Sequence, residues 1–172
     1  MKSSILILLM ASSATLCFAQ SPEEKIKELG ITLFTPSKPM ANYVKAVRTG
    51  NLVFTAGHGP GRADGINIKG KLGVDLSIEQ GYEAARVACV SLLSSLKAEI
   101  GDLNKVKRII KVTGMVNSSA DFYDQPKVIN GCSDLLVEIF GERGKHARAA
   151  VGMVSLPSNI AVEIEMIVEI ED

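Results

Sequence analysis

The C-terminal stretch of the chain, residues 146–170, constrains the fold more than any other segment. Its sequence is HARAAVGMVSLPSNIAVEIEMIVEI, and from residue 161 onward polar residues interrupt an apolar run at alternate positions. A period of two is typical of a β-strand that buries one face. Two charged residues, Arg148 and Glu163, stand in this largely apolar setting. They are the candidate catalytic residues of the chain.

The other segments divide between helical and extended patterns. Small apolar residues recur at helical spacing after Ser77, which can cap a helix that ends before Gly101. The predicted helices cover residues 22–29, 78–100 and 126–140, and the predicted strands cover residues 43–48, 52–56, 106–116, 149–154 and 161–170. This order predicts an α+β fold, in which two helices cover one face of a mixed, mostly antiparallel sheet. The uncovered face predicts an oligomer, because a large apolar surface is otherwise left in water.

The first 19 residues have the pattern of a secretory signal. Lys2 precedes a short apolar run, and Cys17 and Ala19 supply small residues at the two cleavage-determining positions. The apolar run is shorter than the roughly 20 residues that a spanning helix needs, so no stable membrane insertion is expected. Cleavage after Ala19 would leave 172 − 19 = 153 residues, 20–172, as one domain in a periplasm or outside the cell. An uncleaved N-terminal anchor is the alternative.

Charge and cysteine usage narrow the possible functions. The chain has 19 basic and 19 acidic residues, and the loss of Lys2 with the signal gives 18 against 19, a net charge of −1. Binding to nucleic acid depends largely on phosphate neutralisation, so no nucleic-acid partner is expected. Cys89 and Cys132 remain after cleavage, and their spacing matches no metal motif. We expect two buried thiols, although the sequence leaves a disulfide open.

An ordered set of short motifs resembles the RidA/YjgF family over nearly the whole mature chain. The set comprises Tyr43, the run GNLVFTAG at 50–57, the alanine pair at 84–85, GDL at 101–103, Arg148, the leucine-proline pair at 156–157, and VEIE at 162–165. The runs HARAAVG at 146–152 and NGCSD at 130–134 are similar to those of a longer branch of that family.

The resemblance implies a chorismate-mutase-like fold assembled as a homotrimer, with a small carboxylate ligand bound in the clefts between subunits. It also implies the hydrolysis of reactive 2-imino acids or enamines to 2-oxo acids and ammonia, without a metal or an organic cofactor. By position, Arg148 matches the substrate-binding arginine of the family, and Glu163 matches a glutamate near the attacking water. Tyr43 matches a tyrosine in the cleft, Gly57 a glycine whose amide faces the substrate, and Asn130 approximately a helix-start asparagine.

The chemistry of these residue types agrees with such a reaction. A guanidinium offers a planar fork of donors that binds a carboxylate with two hydrogen bonds. A carboxylate side chain can orient a water molecule and accept its proton. Structural roles are the alternatives: Arg148 could form an ion pair across an interface, Glu163 could belong to a solvated face with Glu165 as the reserve, and Tyr43 could pack in the core.

Two histidines stand close to these residues. His146 precedes Arg148 by two positions, and His58 follows Gly57, where many deaminating relatives carry glutamine. Both are candidate substrate-binding residues because imidazole titrates near neutral pH. Local hydrogen bonding within a loop is the alternative for each.

Ala56 departs from the resemblance, because active relatives often have serine at that position. A non-catalytic trimeric binding protein for small carboxylate metabolites is therefore the alternative function. Ribonuclease activity, a description attached to some relatives, is disfavoured by the net charge.

Overall fold

The computed structural model describes residues 20–38, 41–61 and 67–171. The predicted signal segment lies outside the described residues, and export stays a prediction. Within the described residues no helix has the length and apolar character needed to cross a bilayer.

Five strands and three α-helices lie within the described ranges. The strands are β1 (Ala46–Thr49), β2 (Leu52–Thr55), β3 (Val106–Asn117), β4 (Ala147–Met153) and β5 (Val162–Ile170). The helices are α1 (Pro22–Glu28), α2 (Ile78–Ile100) and α3 (Gln125–Phe140). Most predicted boundaries agree to within one or two residues. The first strand differs, since it begins at Ala46, so Tyr43 lies in the segment before it.

The strands form one sheet in the order β1-β2-β5-β3-β4. Neighbouring strands are antiparallel except β3 and β4, which are parallel. The two long helices α2 and α3 pack on one face of this sheet. The predicted α+β fold with a mixed, mostly antiparallel sheet and two helices on one face is therefore confirmed.

Helix α2 begins as its sequence predicts. The Ser77 hydroxyl accepts a hydrogen bond from the Gln80 amide, and the Gln80 side chain accepts one from the Ser77 amide. This reciprocal capping box satisfies two donors that a helix start leaves unpaired. Three small residues of the same helix, Ala84, Ala85 and Ala88, are completely buried, so α2 lies close to its neighbours.

Helices α2 and α3 approach each other at Gly131. A Cβ atom at this position would overlap the carbonyl oxygen of Tyr82 and lie 3.1 Å from the Arg86 nitrogen, both backbone atoms of α2. Cys89 and Cys132 are buried near this crossing as free thiols, which confirms the expectation for them. The Cys89 thiol donates to the Cys132 carbonyl at 3.7 Å, and burial raises the pKa of that thiol well above its ordinary value.

The side chains of β5 separate the two faces of the sheet. Val162, Ile164, Met166, Val168 and Ile170 are buried on the helix face. Glu163, Glu165, Ile167 and Glu169 alternate with them and point to the other side, which we call the open face. Apolar side chains on other strands remain exposed, among them Val47, Phe54, Val151 and Met153.

The Gly131→Ala substitution tests the helix crossing. An added methyl group would meet backbone atoms, which cannot rotate away, so α2 and α3 would have to separate. We expect the free energy of unfolding to fall by about 2–3 kcal/mol, in the range of overpacked cores. Denaturant unfolding measures it, with Val137→Ala on the exposed side of α3 as the control. Equal stability of Gly131→Ala and the wild type would contradict the close crossing.

Candidate functional site

Arg148 lies on edge strand β4 and is directed toward helix α3. In the parallel ladder it is paired with Val112, whose side chain is buried on the helix face. Its Nη1 atom donates to Asn130 Oδ1 at 2.8 Å and to Ser133 Oγ at 3.0 Å. Both hydrogens of Nη1 are thereby used, whereas the Nε and Nη2 hydrogens make no bond to the described residues. This leaves one edge of the guanidinium available to a ligand.

Asn130 lies in the second turn of α3 rather than at its start. Ser133 follows it by three residues, so both side chains stand on one side of the helix, and there they meet Arg148. Ser133 was not among the predicted site residues. Its spacing of three residues from Asn130 is the signal that could have identified it.

His146 makes no direct hydrogen bond to Arg148 within the described part of the chain. Its Nε2 atom lies 3.0 Å from Ser133 Oγ, and its Nδ1 atom lies 2.6 Å from the carbonyl oxygen of Gly144. Burial lowers the pKa of His146, the bond to Gly144 opposes that shift, and the charge of Arg148 adds to it. His146 is therefore connected to Arg148 through Ser133.

Glu163 lies on the open face, where it is paired with Met115 of β3. Its carboxyl group covers Gly57: a Cβ atom at Gly57 would overlap Glu163 Oε1 and lie 2.8 Å from Cδ. A side chain at position 57 would therefore displace the Glu163 carboxyl group. The Gly57 amide forms no hydrogen bond with the described residues, so a donor lies next to the Glu163 carboxylate.

Arg148 and Glu163 lie on opposite faces of the sheet within one chain. Arg148 shares the face of buried Val112, whereas Glu163 alternates with buried Val162 and Ile164. The two strands that carry them are separated by β3. A single chain therefore brings Glu163 to Gly57 and Arg148 to Asn130, but it does not bring the two catalytic candidates together.

Tyr43 lies in the segment before β1, and 52% of its surface is exposed. The alternative that it packs in the core is therefore wrong. Its amide donates to the Ala41 carbonyl at 2.9 Å. Its phenol makes no hydrogen bond within the described residues, and a role in ligand binding stays a prediction.

His58 is buried on the helix face, opposite Glu163. It forms a two-bond bridge with Ile164, and its ring joins the Ala56 carbonyl (Nδ1, 2.7 Å) to the Ser95 hydroxyl (Nε2, 2.7 Å). One side of the imidazole lines a cavity of about 480 Å³ together with Lys45 and Ser91. Burial lowers the pKa of His58, the Ala56 bond opposes that shift, and the charge of Lys45 adds to it.

The described residues contain no group of three or more histidine, cysteine, aspartate or glutamate side chains that could hold a metal ion. The described residues of the candidate site offer guanidinium, carboxylate, amide and hydroxyl groups.

The two histidines predict how stability depends on pH. Each has a lowered pKa in the folded protein, whereas an unfolded chain holds histidine near its ordinary value of about 6.5. The unfolded state therefore binds more protons below that pH, and the free energy of unfolding falls as the pH drops from about 7 toward 5. Urea unfolding across this range measures the effect. The double variant His58→Gln/His146→Gln should show a shallower decline, and an unchanged slope would contradict the prediction.

Comparisons with known proteins agree with this architecture. A family model described as "YjgF/chorismate_mutase-like, putative endoribonuclease" matches residues 23–170. Protein TCP17 of Trypanosoma cruzi is 40% identical over 148 residues, which cover 86% of this chain and 92% of that protein. A 2-iminobutanoate/2-iminopropanoate deaminase of Dermatophagoides farinae is 29% identical, over 78% of this chain and 90% of that protein.

The solved structure of protein Atu1372 from Agrobacterium tumefaciens is 44% identical to this chain. It superposes with a TM-score of 0.81, and the match covers 88% of this chain and 94% of that one. Together with the family model, these relatives confirm the resemblance found in the sequence. The chain therefore belongs to the RidA/YjgF family.

Proposed function

We propose that this protein hydrolyses small 2-imino or enamine acids to 2-oxo acids and ammonia. The observation that carries the proposal is the half-used guanidinium of Arg148. Asn130 and Ser133 hold one of its nitrogens, and the remaining Nε and Nη2 donors form a side-on fork. That fork fits the two oxygens of a carboxylate. A substrate with a carboxylate beside the C=N bond would thereby be held with its reactive carbon at a fixed distance from the Arg148 guanidinium.

Glu163 is the proposed partner of the water molecule. Its carboxylate lies against Gly57, whose amide is available to hydrogen-bond the substrate. A carboxylate in this position can orient water and accept its proton as the water attacks. Because Gly57 has no side chain, a planar substrate can approach both its backbone amide and the Glu163 carboxylate.

The complete site requires a second copy of the chain. Arg148 and Glu163 lie on opposite faces of one sheet, so the fork of one copy has to approach Glu163 of another. Exposed apolar side chains on the open face, such as Phe54 and Val151, favour the burial of that face. We therefore propose the homotrimer expected for this family, with a ligand cleft at each junction.

The proposed reaction needs only water as a co-substrate. Water attacks the imine carbon while Glu163 takes one of its protons, and a C–O bond forms as the C=N double bond becomes single. The proton passes from Glu163 to the nitrogen of the tetrahedral intermediate. Glu163 then carries the hydroxyl proton to the departing nitrogen, so that the C–N bond breaks, ammonia leaves, and the hydroxyl oxygen becomes the carbonyl oxygen of the 2-oxo acid.

The deaminase among the relatives supports this chemistry.

Ala56 favours a second candidate function, a trimeric protein that binds carboxylate metabolites without turnover. At this position the chain has no hydroxyl group, and the Ala56 carbonyl accepts the hydrogen bond from His58. Such a protein would be stabilised by its ligand and would leave the rate of imine decay unchanged.

The first test of the proposal follows the decay of 2-iminopropanoate and 2-iminobutanoate generated by an amino-acid oxidase. Wild-type protein should accelerate decay. Glu163→Gln should lower kcat by roughly a hundredfold or more, as expected for the loss of a general base. Arg148→Ala should mainly raise KM. Glu165→Gln, which alters a neighbouring carboxylate on the same face, is the matched control and should retain activity. Decay no faster than in buffer, with well-folded protein, would favour the binding function.

The second test asks whether one site uses two chains. Arg148→Ala and Glu163→Gln are each expected to be inactive at limiting substrate. Equimolar co-assembly gives each junction an intact Arg148 with probability one half and an intact Glu163 with probability one half. Roughly a quarter of the wild-type activity should return if adjacent copies share each site. No recovery from verified mixed oligomers would show that each chain acts alone.

A further inference from the structure

The side chain of Arg148 is the end of a directional chain of hydrogen bonds. The Gly144 carbonyl can only accept, so the His146 Nδ1 atom that lies 2.6 Å from it carries a hydrogen. In the neutral ring Nε2 then accepts, and the Ser133 hydroxyl, 3.0 Å away, donates to it. The lone pairs of Ser133 Oγ are therefore left for Arg148 Nη1, which lies 3.0 Å away.

We infer that His146 is a positioning residue, which orients the Ser133 hydroxyl so that Ser133 holds the Arg148 guanidinium with its Nε/Nη2 edge free. The catalytic meaning of this arrangement rests on the proposed function. The positioning itself is a property of the unliganded protein, and it can be measured whether or not the protein is a deaminase.

Gly144 fixes the far end of the chain of bonds. It is buried, and a Cβ atom there would overlap the Leu136 carbonyl oxygen and lie 2.8 Å from the Val137 Cα atom. The turn that carries Gly144 therefore packs directly on the backbone of α3. Because Ser133 belongs to the same helix, the bonds from Gly144 through His146 to Ser133 close a ring between α3 and the segment that leads into β4.

This ring of contacts would hold an exposed arginine on an edge strand in one orientation through Ser133. A free arginine side chain loses much rotational freedom when it is fixed. A serine within a helix commonly turns its hydroxyl toward the backbone carbonyl four residues earlier, as Ser94 does here toward Val90. In this structure Ser133 lies within hydrogen-bond distance of His146 instead, and bonds aligned in one direction strengthen each other.

The test compares His146→Ala, Ser133→Ala and the double variant in the full chain. One readout is the ¹⁵N order parameter of the Arg148 Nε–H group without ligand, and the other is the dissociation constant for pyruvate. His146→Ala and Ser133→Ala should each lower the order parameter and weaken pyruvate binding by roughly five- to tenfold, the equivalent of one hydrogen bond. The double variant should be no worse than Ser133→Ala, because His146 acts through Ser133.

Two controls keep the result specific. In His146→Gln an amide oxygen can take the place of Nε2 and accept from Ser133, so binding should stay within about twofold of the wild type. Lys145→Ala removes only an exposed ion pair with Glu142 beside His146 and should change neither readout. Should His146→Ala fail to fold, His146→Leu, which fills the space without supplying an acceptor, takes its place in the comparison.

Two outcomes would overturn the inference. In the first, Arg148 stays as ordered in Ser133→Ala or His146→Ala as in the wild type. In the second, the effects of the two substitutions add in the double variant, which would mean that His146 acts by another route. A wild-type protein that does not bind pyruvate would count against the proposed function, and the order parameters would still decide the role of His146.

Discussion

Strand β5 lies in the middle of the sheet, and the alternation of its side chains decides what each face can do. The apolar residues at every second position, Val162, Ile164, Met166, Val168 and Ile170, are covered by helices and are almost completely buried. Its glutamates are consequently forced to the other side, where a carboxylate can stay hydrated. A shift of this strand by one residue would bury Glu163 and expose Ile164, so the hydrophobic effect fixes the register that places Glu163 beside Gly57.

The parts of the fold that depend on local pattern were predictable from the sequence. The alternation in β5, the capping box at Ser77 and the small residues of α2 each carry a signal within a few neighbouring residues. The location of Arg148 was not predictable in this way. It depends on the parallel pairing of β4 with β3, which sets Arg148 beside Val112, and that pairing joins segments more than 30 residues apart. The contacts of Arg148 with α3 follow from the same pairing.

The two histidines show the limit of reasoning from sequence position. Each stands within two residues of a predicted site residue, and each has one ring nitrogen on a nearby backbone carbonyl and the other on a serine. The faces of the sheet separate their roles. His58 is paired with Ile164 and turned toward the helices, away from Glu163. His146 stands behind the serine that holds Arg148. Both histidines make local hydrogen bonds, which was the alternative for each. For His146 these bonds also connect to Arg148 through Ser133.

The same topology connects the edge of the sheet with the proposed chemistry. Strand β4 is an edge strand, which carries Arg148 on the helix face and the exposed Val151 on the open face. An exposed edge of this kind is normally covered in a stable protein. In the proposed assembly, the contact that covers the apolar open face is also the contact that brings Arg148 to Glu163 of the next copy. Folding stability and activity would then both depend on the association of the chains. A separated chain would expose the apolar face and would also lose part of the site.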